Sequence, residues 1–90
     1  MSEAMTTRTV VVGSEVGLHA RPAAKFTQAV QATGVPVRIS VGGGEPVDAA
    51  SVLAVMTLGA GHGAEVTLHA DDDAVLDSLA ELVASDLDAA

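Results

Sequence analysis

The stretch Val35-Pro36-Val37-Arg38-Ile39-Ser40-Val41-Gly42-Gly43-Gly44-Glu45-Pro46-Val47-Asp48 decides the fold. Val35, Val37, Ile39 and Val41 alternate with Pro36, Arg38, Ser40 and Gly42, which is the period of a strand buried on one face. Gly42-Gly43-Gly44 then reads as a turn, and Glu45 to Asp48 as a short returning strand. A hairpin imposes antiparallel pairing, so the sheet built around it is expected to be antiparallel.

Working outward, Thr6 to Val12 reads as a strand ending in three valines and stopped by Gly13. A loop with two glycines leads to a helix predicted over Ala20 to Ala32, with Ala23, Phe26, Thr27 and Val30 on one side. Gly34 and Pro36 stop it. Beyond the hairpin, Ser51 starts a short helix to about Leu58 that is apolar nearly all round, ended by Gly59, Gly61 and Gly63. Glu65 to Ala70 alternates again, with Val66 and Leu68 on the inner side and His69 on the polar, exposed side. Asp71-Asp72-Asp73 opens a last helix with the stripe Val75, Leu76, Leu79, Leu82, Val83 and Leu87. Acids at its start suit the positive end of the helix dipole. The order is βαββαβα, an α+β class, and the economical arrangement is one antiparallel sheet with helices on a single face.

Composition narrows the function. Ninety residues are expected to form a single domain, 1–90, with residues 1–5 flexible. The apolar set is 17 Ala, 14 Val, 8 Leu, three Met, one Ile and one Phe, so the core must use small and β-branched side chains around Phe26. A net charge of −8 argues against a nucleic-acid partner, and the lack of Trp and Tyr removes stacking platforms. With no Cys, disulfide scaffolds and thiol catalysis are excluded. No apolar run is long enough for membrane insertion, and no leader precedes the first strand, so a cytoplasmic monomer is expected. Seven of the twelve acids fall in the last twenty residues, whereas Arg21 and Lys25 form a local positive spot.

Gly17-Leu18-His19-Ala20-Arg21-Pro22-Ala23 places a histidine where a glycine-containing loop turns into a helix. The first amides of a helix lack internal partners and, with the dipole, favour an anion such as phosphate. Pro22 falls in the first turn, where its missing N–H costs nothing. Imidazole is a poor choice of cap and a good nucleophile, and Arg21 adds a permanent charge with a planar fork of donors. Read alone, the motif also fits an exposed loop histidine beside a solvated arginine.

The wider pattern adds weight. The histidine motif, together with Ala50-Ser51-Val52-Leu53-Ala54-Val55-Met56-Thr57-Leu58-Gly59, resembles the HPr family of histidine-containing phosphocarriers over Thr6 to about Asp88. The resemblance implies an open-faced β-sandwich of four antiparallel strands and three helices. It implies that His19 is phosphorylated on Nδ1, that Arg21 contacts the phosphoryl group, and that Ala20 and Pro22 complete the supporting helix start. Enzyme I would be the donor and the enzyme IIA domains of sugar permeases the acceptors, with no cofactor. Val52, Leu53 and Met56 would form a docking patch, Leu53 and Met56 exposed beside His19, and Lys25 would help to engage an acidic partner. Ser51 matches a regulatory serine modified by HPr kinase/phosphorylase, although Ala50 stands where a lysine is common. Serine before an apolar helical run is equally an ordinary N-cap.

Other motifs carry less. Gly59-Ala60-Gly61-His62-Gly63 lacks the Lys-Ser/Thr of a P-loop, and His62 and His69 have no ligand-like spacing, so no metal site is expected. The alternatives to a carrier are a non-catalytic regulatory or interaction module on the same fold and a small acid–base enzyme using His19.

Overall fold

The structure, a computed structural model, describes residues 6–85; the expectations for residues 1–5, Leu87 and Asp88 lie outside them. Its elements are β1 (Thr6–Val11), α1 (Ala20–Thr33), β2 (Val37–Val41), β3 (Val47–Asp48), α2 (Val52–Thr57), β4 (Glu65–Ala70) and α3 (Asp73–Ala84). The four strands lie in the order β1-β4-β2-β3, and every neighbouring pair is antiparallel. The hairpin thus supplies one edge of the sheet, and β4 inserts between β2 and β1.

Alternation sets the two faces. Val37 and Ile39 of β2 and Val66, Leu68 and Ala70 of β4 are buried and face the helices. α1 contributes Ala23, Phe26 and Val30, and α3 contributes Leu76, Leu79 and Val83, to the same buried cluster. The opposite face is polar apart from Val11: Thr9 and Thr67, directly paired across β1 and β4, join their hydroxyls at 3.1 Å. The architecture is therefore the α+β open-faced β-sandwich, with its helices on one side of the sheet.

Three expectations need correction. The returning strand is two residues long rather than four, because Gly44 closes the turn through its N–H to the Val41 carbonyl and Pro46 has no N–H for a ladder. β2 begins at Val37, after Pro36. His69 does lie on the polar face, but it is half-buried rather than exposed, its Nε2 3.0 Å from the Ser40 hydroxyl. That contact also explains why Ser40, an outward position, is only 5% exposed.

The helix ends follow from their caps. Ser51 Oγ accepts from the Ala54 amide at 3.2 Å to start α2, and Asp72 Oδ1 accepts from the Val75 amide at 3.1 Å to start α3. Gly34 ends α1 in the left-handed conformation that a Cβ would disfavour, its N–H returned to the Gln31 carbonyl.

Candidate functional site

The segment between β1 and α1 is held at both ends by backbone contacts. Val12 N–H donates to the Ala64 carbonyl and Gly13 N–H to the Val83 carbonyl, and Leu18 N–H donates to the Ala60 carbonyl at 2.8 Å. Gly17 is required for two reasons. Its φ is +76°, and a Cβ there would sit 2.4 Å from the Ala60 carbonyl oxygen. Gly13 is crowded likewise, since a Cβ would meet the Ala84 carbonyl oxygen at 2.0 Å. Leu18 is driven into the core at 1% exposure, which leaves the next residue, His19, on the surface.

His19 occupies the N-cap of α1 in extended geometry, and its side chain makes no capping hydrogen bond. α2 and α3 contrast with it, since both have a side-chain oxygen on a first-turn amide. The first-turn amides of α1 have no partner within the helix, so they remain donors at the positive end of its dipole. Ala20 has a φ of +47°, so the helical path proper begins at Arg21, with Pro22 next and buried. Holding an alanine there costs about 1–2 kcal/mol.

The charge around this helix start is unbalanced in one direction. Arg8, on the helix side of β1, is taken up by Asp77 at 2.8 Å and Asp73 at 3.6 Å on α3. Arg38 lies on β2 opposite His69 of β4. Arg21 and Lys25 are exposed and make no ion pair among the described residues, so both remain available to an anion or an acidic surface.

Helix α2 lies beside α1. Of its apolar residues, Val55 is buried, Val52 and Met56 are half-covered against the core, and Leu53 is 75% exposed, as expected. Met56, expected to be exposed with Leu53, is thus partly withdrawn. α2 meets the core along the side that carries Val55, with Val52 and Met56 flanking it. Val16 was missed by sequence reasoning; it is 53% exposed in the loop before His19. Only the tight loop geometry, with Leu18 buried beside it, reveals that position. Two concavities, one lined by the β2–β3 hairpin and one between α1 and α3, lie away from His19.

An exposed imidazole at an uncapped helix start, on an open-faced sandwich, defines a surface suited to passing an anionic group between macromolecules. The family model described as "PTS HPr component phosphorylation site" matches residues 6–85. The phosphocarrier protein HPr of Streptomyces coelicolor is 52% identical over 93% of this chain and 94% of its own. The Haloferax volcanii phosphocarrier protein HPr is 42% identical over 87% of this chain and 92% of its own. Among solved structures, that of an HPr from Bacillus anthracis superposes with a TM-score of 0.83 at 33% identity, covering 90% of this chain and 99% of its own. The chain belongs to the HPr family, the phosphocarriers of the phosphotransferase system.

Proposed function

We propose that His19 is the phosphoacceptor of this chain, receiving a phosphoryl group from enzyme I and passing it to enzyme IIA domains of sugar permeases in the cytoplasm. The observation that carries this reading is the α1 N-cap itself, an exposed histidine whose ring makes no capping bond, above first-turn amides without helical partners.

The chemistry needs little more than placement. The Nδ1 lone pair of His19 forms the new P–N bond while the bond from phosphorus to the donor atom breaks, and the donor keeps that electron pair. The proton on Nε2 stays in place. Charge spread over the phosphoryl oxygens is met by the α1 amides and by the Arg21 guanidinium, whose donors are fixed in one plane. Ala20 and Pro22 set the path into the helix. His19 is exposed, so a partner docking over it can supply the rest of the site. Leu53, with the half-covered Val52 and Met56, offers it an apolar patch, and Lys25 offers a charge that an acidic partner would find. Ser51 serves here as the α2 cap; modification by HPr kinase/phosphorylase would keep acceptor oxygens at that helix start while adding negative charge beside the patch.

The test is incubation with enzyme I, Mg²⁺ and phosphoenolpyruvate, followed by mass measurement. One acid-labile phosphate is expected on the wild type and none on His19→Ala. Arg21→Ala is expected to fold normally and to transfer more slowly. A wild-type chain that gains no phosphate would refute the reading and favour an interaction module.

A further inference from the structure

Gln31 lies about 18 Å along α1 from His19 and is exposed. Its side-chain amide donates to the Ala50 carbonyl at 2.9 Å. That carbonyl belongs to the peptide group that leads into the Ser51 cap. The N–H of the same peptide, on Ser51, donates to the Asp48 carbonyl, and the preceding N–H, on Ala50, donates to Asp48 Oδ1 at 2.9 Å. The entry to α2 is therefore clamped from two sides, by the end of β3 and by α1.

The far end of α2 is gripped by the same segment. After Gly59, Ala60 accepts from the amide of Leu18, the residue before His19, and packs against Gly17. Residues 17–31 thus hold α2 at both ends, and α2 runs back along α1 from its end toward its start. Between these two latches α2 has one fully buried side chain, Val55. A six-residue helix has no independent stability, so its placement depends on what holds its ends.

From this we infer that Gln31 is a positioning residue for partner docking: it keeps Leu53 and Met56 of α2 in register with His19. The inference rests on the phosphocarrier reading for its functional arm. Gln31 touches neither the phosphoryl group nor the partner's reacting atoms, so its loss should weaken recognition and leave the transfer step alone.

Kinetics with enzyme I, Mg²⁺ and phosphoenolpyruvate, varying the concentration of wild type, Gln31→Leu or Gln31→Lys, test this. Leucine retains helix propensity and removes the donor, and lysine restores a donor within reach of the carbonyl. For Gln31→Leu the KM should rise roughly threefold to tenfold, the range that loss of an ordinary hydrogen bond gives, with kcat unchanged. Gln31→Lys should recover most of the loss. Equal KM values for wild type and Gln31→Leu, or a lysine variant as impaired as the leucine one, overturn the inference without touching the role of His19. Hydrogen exchange tests the latch independently of any transfer: the Ala54 and Val55 amides should exchange faster in Gln31→Leu, and unchanged rates overturn it.

Discussion

Replacing Gly17 by alanine probes the loop that presents His19, and Gly34→Ala is its control. Both glycines have positive φ, +76° and +70°. Each substitution therefore carries the left-handed penalty of about 1–2 kcal/mol for a residue with a Cβ. The surroundings differ. A Cβ at Gly34 meets nothing within 4 Å, whereas one at Gly17 falls 2.4 Å from the Ala60 oxygen and 2.7 Å from the Gly61 Cα, both backbone atoms. Relief requires the two loops to part, and forcing atoms into a filled space costs about 1–3 kcal/mol more. Gly17→Ala should lose roughly 2–5 kcal/mol in total, a large share of the ~5–15 kcal/mol typical of a domain. Urea denaturation with both variants reads the difference directly, provided the m-values agree. The separation of the loops should also move His19, so Gly17→Ala should slow phosphorylation by enzyme I while Gly34→Ala does not. Equal destabilisation of the two variants would refute the claim that close backbone approach, rather than φ alone, fixes glycine at this position.

Arg8→Ala removes the pairs to Asp73 and Asp77, whose carboxylates are 71% and 67% exposed, so the loss should stay below about 1 kcal/mol and shrink in 1 M salt, as thermal melts at two ionic strengths would show. Ser51→Ala should cost about 0.5–2 kcal/mol through the lost cap, and Ser51→Asp should retain most of that stability, both read by denaturant titration. Phe26 is fully buried under α1, and Phe26→Ala should cost about 3–5 kcal/mol, enough that its circular-dichroism melt would show a chain near the edge of folding.

The order of elements and the sheet's two faces were legible because they rest on local periods. Val37 and Ile39, and Val66 and Leu68, alternate with polar neighbours, and Phe26 and Val30 recur at helical spacing. The place of His19 and Arg21 at the start of α1 was legible because a helix start needs no tertiary knowledge to be located. What escaped depended on neighbours distant in sequence. His69 is sheltered by Ser40 across the strand gap, Met56 is half-covered by the core, and Val16 is exposed because Gly17 and Leu18 fasten the loop elsewhere. No periodicity encodes those contacts. The short β3 was overestimated because alternation does not register that Pro46 lacks a donor.

The way the site is held bears on the proposed carrier role. On that proposal one nitrogen of His19 meets two different partners, so any intramolecular partner of the ring would have to be broken at each encounter. His19 has no capping bond, and its position is fixed instead through main-chain atoms around it: Val12 to Ala64, Gly13 to Val83, and Leu18 to Ala60. These contacts draw on both α3 and the loop after α2. They require small residues, which is why Gly13 and Gly17 stand where side chains would collide with carbonyl oxygens. Backbone placement leaves the imidazole free while limiting where it can go. On that account, enlarging Gly13 or Gly17 should harm transfer more than trimming the exposed Glu15 or Val16 of the loop.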